Sequence, residues 1–458
     1  MKEKILHHLR IGVRDNWCNT ATMTTCDLLV KARWLLPIAP QNTAFDHHAI
    51  AIKNGRIISL GEAAELSAAF SPSQRLELED HIVLPGLVNS HGHAAMSLLR
   101  GAGEDQSLQT WLSDSIWPLE TRIVNADMVS LGTEVAIAEM LASGTTTFSD
   151  MYFFPEETAA VADRLGMRAQ ICFPVIEAPN VWSDGVMDGL HKGLALHDTF
   201  RHHERIRIAF GPHAAYTVSI ANLEKVAMYA NEIDAQVQIH LHENAAEVKE
   251  AIATRGRTWI EELKDIGLLG PNLQAVHMTE VSDEDLDTIA ASRTRIVHCP
   301  TSNLKLASGY APVARYREAN IPVGLGTDGA ASNNCLNLFS EAHIASLLAK
   351  HEANDPTQGT APDTIRMATL EGAIALGMDD DIGSLEVGKA ADFIAVDART
   401  LSMLPAYDPF AALVHGDAGN SVSHVYVEGQ PLCVDGELTR CDVSGLSRKV
   451  TQWHAKAL

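Results

Sequence analysis

The sequence has 458 residues, of which 46% are hydrophobic and 20% are charged, and its formal net charge is -23. This composition is typical of a globular protein, and the length allows two or three domains, one of which can be an α/β barrel of about 250 residues. The acidic balance repels phosphate backbones and anionic lipid surfaces, so it argues against nucleic-acid polymers and membranes as partners. Seven cysteines without a CxxC pair argue against a disulfide framework and a zinc ribbon, and they favour a reducing, cytoplasmic location.

The first and last residues lie outside the predicted domains. Residues 1–25 contain charges throughout and lack the apolar core of a secretory signal, so we expect a poorly ordered leader, with Met23 as an alternative start. Residues 441–458 are expected to form a C-terminal tail or helix. No apolar run in the sequence has the length that a bilayer-spanning helix needs.

Two separated segments share a sequence pattern that is typical of β-strands. Residues 26–83 and residues 383–440 both alternate short apolar runs with turn signals. In the first segment, Asn54-Gly55 between two such runs predicts a tight hairpin, because these residues adopt the positive φ angles that the turn requires. We therefore predict one small β-sandwich domain that is assembled from both segments.

The middle of the chain, residues 84–382, repeats a strand-then-helix rhythm. Short β-branched runs separated by helical patterns occur eight times, as "LVNSHGH", "GTTTFSDMY", "MRAQICFPV", "IRIAFGPHA", "VQIHLHE", "LQAVHMT", "RIVHCPT" and "IPVGLGTDG". Eight such units predict a (β/α)8 TIM barrel. The alternative, a doubly wound open sheet, is disfavoured because no GxGxxG motif follows a first strand.

Nearly every predicted barrel strand ends in a metal-capable or acid–base residue. In chain order these residues are His91, His93, His213, His240, His242, Glu243, His277, His298 and Asp328. Barrel active sites lie at the C-terminal ends of the strands, so these side chains are expected to converge. Two HxH pairs and Asp328 make an imidazole–carboxylate set that suits zinc or ferrous iron. We expect His242 to support or pack against the site rather than to bind metal, and His298 to hydrogen-bond a loop.

Five stretches carry a family resemblance: "PGLVNSHGHAAMSLLRG", "LQTWLSDSIWPLE", "HLHE", "HCPTSNLKLASG" and "GLGTDGAASNNCLNLF". They resemble the amidohydrolase superfamily and, more narrowly, the 5'-methylthioadenosine/S-adenosylhomocysteine deaminases, from about Cys26 to the C-terminal β segment. The PGxxxxHxH opening is specific to the superfamily. The "WLSDSIWPLE" and "TDGAASNN" stretches narrow the resemblance to this deaminase branch and its chlorohydrolase relatives.

The resemblance implies a role for nine residues. It implies that one metal ion is bound by His91, His93, His240 and Asp328. It implies catalytic roles for Glu243, His277 and Asp328, with Glu243 as the proton shuttle. It implies substrate contacts from Glu120, which would bind the ribose hydroxyls, and from His213, Glu243 and Ser332.

Two absences refine this expectation. The strand-four run "IRIAFGPHAAY" has no lysine that would bridge a second metal, so one divalent ion is expected, zinc or alternatively ferrous iron. The stretch "ICFPVIEAPNVW" has no arginine where some family members receive the homocysteine carboxylate. This favours methylthioadenosine or adenosine over S-adenosylhomocysteine.

The implied activity is a hydrolytic deamination. Water would replace the 6-amino group of an adenine nucleoside, giving the 6-oxo purine and ammonia, so the expected partner is a small-molecule nucleoside; a homo-oligomer is compatible with the sequence. One alternative is a deaminase or chlorohydrolase acting on another nitrogen heterocycle, such as guanine, 8-oxoguanine or a triazine. A second alternative, a catalytically silent barrel, is disfavoured because all four ligand positions are present.

Overall fold

The computed structural model describes residues 23–457, so residues 1–22 of the predicted leader lie outside the described residues. The first strand begins at Thr24, within the predicted leader. The domain boundaries at residues 83/84, 382/383 and 440/441 stay predictions. None of the helices in the described range combines the length and apolar character that crossing a bilayer requires.

The strands fall into two sheets of eight. In chain order they are β1 (Thr24–Leu35), β2 (Phe45–Lys53), β3 (Arg56–Glu62), β4 (Phe70–Pro85), β5 (Leu87–Asn89), β6 (Thr145–Met151), β7 (Arg168–Val175), β8 (Ile206–Pro212), β9 (Val237–Leu241), β10 (Leu273–His277), β11 (Arg295–His298), β12 (Val323–Leu325), β13 (Phe393–Asp397), β14 (Val422–Val427), β15 (Gln430–Val434) and β16 (Glu437–Leu438).

The helices mostly lie between the strands of the second sheet. In chain order they are α1 (Ala63–Ala69), α2 (Leu108–Thr110), α3 (Trp117–Ile123), α4 (Ala126–Ala142), α5 (Pro155–Leu165), α6 (Val186–Phe200), α7 (Ile220–Ile233), α8 (Ala245–Arg255), α9 (Trp259–Asp265), α10 (Asp283–Ser292), α11 (Pro300–Lys305), α12 (Val313–Glu318), α13 (Ala330–Asn333), α14 (Leu338–Glu352), α15 (Ala361–Met367), α16 (Leu370–Leu376), α17 (Pro409–His415) and α18 (Val443–Ala457). A π-helical turn, Trp111–Ile116, joins α2 to α3.

Strands β5 to β12 form the predicted barrel. They lie side by side in chain order, and each paired neighbour is parallel. The first and last strands meet where the Ser90 backbone N–H donates to the Leu325 carbonyl at 2.8 Å. Because helices cover the outside of such a barrel, its strands are buried along most of their length; every residue of β7 is buried. All eight predicted strand runs are confirmed.

The other sheet joins the two ends of the chain. Its order is β16-β15-β14-β13-β4-β1-β2-β3, so the long strand β4 connects the N-terminal and C-terminal segments. It pairs parallel with β1 and antiparallel with β13, where Leu84 faces Ile394. The predicted hairpin is also confirmed: φ is 50° at Asn54 and 72° at Gly55, which are the positive values of a tight β2–β3 turn. The β domain built from both ends is therefore one mixed sheet.

Candidate active site

A cavity opens at the C-terminal ends of the barrel strands, where the sequence predicts the site. Seven of the nine predicted site residues line it: His93, Glu120, His213, His240, Glu243, His277 and Asp328. His91 lies directly behind them and is fully buried. Ser332, the ninth, also stands away from the cavity wall.

Three histidines are held by their Nδ1 atoms. Nδ1 of His91 lies 2.7 Å from Gln238 Oε1. Nδ1 of His93 lies 2.6 Å from the Met151 carbonyl, and Nδ1 of His240 lies 2.5 Å from the His213 carbonyl. A backbone carbonyl only accepts, so Nδ1 of the last two rings carries a proton, and Nε2 is the atom that each ring turns toward the cluster. Support of this kind is typical of metal-binding histidines.

The three Nε2 atoms converge with one carboxylate oxygen. His91 Nε2 lies 3.2 Å from His240 Nε2, and Asp328 Oδ1 lies 3.5 Å from His91 Nε2 and 3.2 Å from His93 Nε2. Ligands placed about 2.0 Å from a tetrahedral zinc ion stand about 3.3 Å apart, which matches this spacing. Two lone pairs that face each other at 3.2 Å repel unless a cation or a proton lies between them. The spacing of the four residues therefore fits a divalent metal ion. His91, His93 and His240 form one group close enough to hold it, and His91, Asp328 and His277 form another.

Asp328 is fixed on both of its carboxylate oxygens. Oδ1 accepts the Gly329 backbone N–H at 2.8 Å, and Oδ2 accepts the Ser302 hydroxyl at 2.6 Å. Burial alone would raise the pKa of Asp328, but hydrogen bonds with His91 and His93 outweigh it and hold that pKa well below its usual range. The carboxylate is therefore ionised and available as a ligand.

Glu243 and His277 form a second pair beside this cluster. Glu243 Oε1 lies 3.8 Å from His277 Nε2, and His277 Nδ1 lies 2.8 Å from Asn303 Oδ1. Burial, and secondarily the charge of Asp328, raises the pKa of Glu243 to about 8. Burial lowers the pKa of His277. A carboxyl that retains a proton near neutral pH is suited to general acid chemistry.

Three further histidines were predicted to converge on the site, and they do not all reach the cavity. The ring of His213 lies in the cavity, 4.9 Å from the ring of His240, and burial together with the neighbouring histidines lowers its pKa to about 4. The ring of His242 does not stay beside His240, because the chain turns at φ 49° and its Nδ1 meets the Glu280 carbonyl at 2.8 Å. His298 is fully buried, and neither ring nitrogen has a hydrogen-bond partner among residues 23–457, so the predicted loop contact is not observed there.

Ser332 lies behind Asp328 rather than on the cavity wall. Its hydroxyl is 3.0 Å from that of Ser302, which in turn donates to Asp328. The side chain is buried, and it is absent from the residues that line the cavity in the described part of the chain. Its predicted contact with the purine stays a prediction.

Glu120 also lines the cavity. It lies in the first turn of α3, and its Oε1 accepts the Tyr152 hydroxyl at 2.6 Å. Burial raises the pKa of Glu120, and the hydrogen bond from Tyr152 partly offsets that effect. The surrounding wall is apolar and is formed by Met96, Leu108, Trp111, Leu112, Ile116, Trp117, Phe153 and Leu306.

Several residues that support the site were not predicted from the sequence. Ser302 and Asn303 lie in the "HCPTSN" stretch, so that motif contained a usable signal. Tyr152 is the last residue of the predicted run "GTTTFSDMY" and could have been considered because it stands at a strand end. Gln238 gives only a weak signal, since it lies two residues before His240 and therefore on the same face of β9.

The chain is similar to known proteins over most of its length. A model of the amidohydrolase family matches residues 82–432. A protein from Saccharophagus degradans named 5-methylthioadenosine/S-adenosylhomocysteine deaminase is 46% identical over 433 residues, which cover 94% of this chain and 97% of that protein.

Solved structures are also similar to this chain. The crystal structure of an adenosine deaminase from Xanthomonas campestris with bound zinc is 40% identical, with a TM-score of 0.94, and the match covers 95% of this chain and 99% of that one. Atrazine chlorohydrolase from Arthrobacter aurescens, complexed with zinc, matches with a TM-score of 0.86 over 93% of this chain and 100% of that one, but at 24% identity it shows the shared fold alone. Because the family model spans most of the sequence and these relatives align over nearly all of it, the chain belongs to the amidohydrolase family.

Proposed function

We propose that this protein is a hydrolytic deaminase of adenine nucleosides, which converts the 6-amino group to a 6-oxo group and releases ammonia. The observation that supports it most strongly is the arrangement in one cavity of three histidines and Asp328, of a buried glutamate with a raised pKa, and of a second glutamate suited to vicinal hydroxyls. The names of the Saccharophagus degradans and Xanthomonas campestris relatives agree with this activity.

We propose one zinc ion in the cluster, with ferrous iron as the alternative, because three imidazoles and one carboxylate suit either metal. The ligands would be His91, His93, His240 and Asp328. When bound, such an ion supplies Lewis acidity that brings the pKa of a water molecule toward neutrality.

The chain's own residues supply the proton transfers. Asp328 is positioned to accept a proton from the water that attacks C6, and His277 to orient that water. Glu243, whose pKa is raised to about 8, holds a proton that it can deliver to ring N1, which makes C6 more electrophilic. Glu243 then takes the hydroxyl proton of the adduct and passes it to the amino group, which leaves as ammonia as the 6-oxo group forms. The proton held by Asp328 returns to Glu243 and closes the cycle. Such acid–base steps contribute about 10²- to 10⁴-fold each.

The walls of the cavity support a nucleoside with an uncharged 5' group. A carboxylate accepts two hydrogen bonds from vicinal hydroxyls, and Glu120 keeps Oε2 free for them while Tyr152 holds Oε1. No Lys or Arg is among the residues of the described chain that line the cavity. The carboxylate of an S-adenosylhomocysteine tail would therefore have no cationic partner within the cavity. We propose that methylthioadenosine and adenosine are preferred.

A side-by-side assay tests the substrate assignment. The loss of adenine absorbance is followed with methylthioadenosine, adenosine and S-adenosylhomocysteine, and kcat/KM is compared. We expect the first two to react and S-adenosylhomocysteine to be at least tenfold poorer, about the value of one unpaired charge-assisted contact. Turnover of guanine or a triazine without turnover of any adenosine would refute the substrate assignment and leave the family assignment intact.

The ribose role of Glu120 is tested by Glu120→Ala. We expect KM to rise about tenfold or more, since one or two hydrogen bonds to a charged group are lost at about 1.5–3 kcal/mol each. Bound metal should not change, because Glu120 does not belong to the cluster. A 2'-deoxy substrate is the control. It lacks one of the two hydroxyls, so Glu120→Ala should raise its KM less than it raises the KM of the ribonucleoside. Unchanged KM for the ribonucleoside would contradict the assignment.

Location and assembly stay predictions. All six cysteines in the described range are unpaired, which supports a reducing, cytoplasmic environment. The proposed partner is the small-molecule nucleoside, and the predicted homo-oligomer is not tested.

A further inference from the structure

A layer of amide side chains fills the barrel directly beneath the metal-binding cluster. Gln170 on β7, Gln238 on β9 and Gln274 on β10 point inward and are at most 1% exposed. Buried amides are costly unless they are fully hydrogen-bonded, so a layer of three indicates a network with fixed directions.

The contacts of Gln238 determine which way its amide group points. Its Nε2 lies 2.9 Å from the Ser90 carbonyl and 2.7 Å from Gln274 Oε1. A backbone carbonyl only accepts, so the NH2 group of Gln238 faces Ser90 and its Oε1 faces His91 at 2.7 Å. Because Oε1 only accepts, Nδ1 of His91 is the donor.

Gln274 and Gln170 continue this hydrogen-bond network away from the metal-binding cluster. Gln170 donates to Gln274 Oε1 at 2.8 Å, and Gln274 donates back to Gln170 Oε1 at 3.1 Å. Gln274 Oε1 thus accepts from both of the other glutamines, which is consistent with the orientation derived for Gln238. No direct hydrogen bond joins Gln170 to His91 or Gln238 among residues 23–457.

We propose that Gln238 is a positioning residue that fixes His91 in the tautomer with the proton on Nδ1, so that the Nε2 lone pair points into the cluster. The other two histidines obtain the same tautomer from backbone carbonyls, whereas His91 depends on a side chain. The inference rests on the proposed metal site but not on the proposed substrate. It makes Gln238 a determinant of metal affinity.

The test compares two buried glutamines of the same layer. Gln238→Met and Gln170→Met both keep the length of the side chain and remove its amide, but only Gln238 contacts a metal-binding histidine. Zn²⁺ affinity is measured on the metal-depleted protein by competition with a chromophoric chelator. We expect Gln238→Met to bind Zn²⁺ about 10- to 100-fold more weakly than the wild type, as for other lost supports of metal ligands. Gln170→Met should stay within about threefold of the wild type.

A spectroscopic readout separates positioning from a general loss of structure. In metal-free protein labelled with ¹⁵N-histidine, the His91 shifts should report a protonated Nδ1 in the wild type and in Gln170→Met, and a mixture of tautomers in Gln238→Met. If Gln238→Met does not fold, Gln238→Asn withdraws the acceptor by one methylene and serves the same comparison.

The possible failures are distinguishable. Equal Zn²⁺ affinity in the wild type and Gln238→Met, or equal losses in the two glutamine variants, would overturn the positioning role and leave the proposed function standing. A wild-type protein that binds no Zn²⁺ in the competition assay would overturn the proposed metal site and this inference together.

Discussion

Glu243→Gln is expected to retain its metal and to lose nearly all turnover. The substitution keeps the size and shape of the side chain and removes the exchangeable carboxyl proton. Since Glu243 is proposed to transfer a proton twice in each cycle, to ring N1 and then to the amino group, kcat should fall by at least about 10²- to 10⁴-fold. KM for the nucleoside should change much less, because Glu120 rather than Glu243 is proposed to bind the ribose.

The structure explains why this residue can hold a proton. Glu243 is buried beside His277, and burial raises the pKa of its carboxyl to about 8. Its backbone N–H donates to Glu247 Oε2 at 2.8 Å, which fixes the turn that carries it. The side chain is therefore both protonated near neutral pH and confined to the cavity, which are the two requirements for a general acid.

Glu247→Gln is the matched control for this variant. Glu247 is also buried, and burial raises its pKa to about 8, but its carboxylate accepts backbone N–H groups of His242 and Glu243 rather than facing the cavity. Replacing it weakens one such hydrogen bond, at about 1 kcal/mol, so the loss of kcat should stay near tenfold or less. Metal content and kcat are measured for both variants; robust deamination by Glu243→Gln would refute the shuttle.

The architecture was predictable because it depends on patterns that local physics enforces. Buried parallel strands require short β-branched runs, and these runs occur eight times with helical spacers between them. The rule that barrel sites form at strand ends predicted that the histidines and Asp328 converge, and the family resemblance implied which of them are ligands. Asn54-Gly55 gave the hairpin because few other residues tolerate two successive positive φ angles.

The details of the site were less predictable because the chain leaves regular geometry there. Strand alternation placed the ring of His242 beside that of His240, but φ is positive at His242, so the alternation ends one residue earlier. His277 and Asp328 also have positive φ, at 77° and 60°. Such conformations are sparsely populated for residues other than glycine and cluster at functional sites, and no periodic pattern signals them.

Supporting residues were missed for a different reason. Tyr152, Asn303 and Gln238 act through contacts with residues 32, 26 and 147 positions away in the sequence. Their chemistry is ordinary for buried polar side chains, so only the three-dimensional arrangement distinguishes them from core residues that satisfy a neighbour. A strand-end rule finds ligands, but it does not find what orients them.

Asp328→Asn is expected to impair both metal binding and turnover, and the two effects should be separable. The amide keeps the shape of the side chain but loses the negative charge that faces His91 and His93 at 3.5 and 3.2 Å. Zn²⁺ affinity should fall by more than about 100-fold, beyond the 10- to 100-fold that follows loss of a mere supporting contact. Chelator competition on the metal-depleted protein measures it.

Turnover should not recover when Asp328→Asn is saturated with Zn²⁺. An amide cannot accept the proton that Asp328 is proposed to take from the attacking water, so the defect in kcat should persist at full occupancy. Asp150→Asn is the control: Asp150 is fully buried, and its Oδ1 accepts the Ala94 backbone N–H, a bond that an asparagine preserves. It should keep Zn²⁺ affinity within about tenfold. If Zn²⁺ alone restores normal kcat to Asp328→Asn, then Asp328 is a ligand and not the proton acceptor. The proton of the attacking water must then go to another group of the cavity, and His277, beside the cluster, is the candidate.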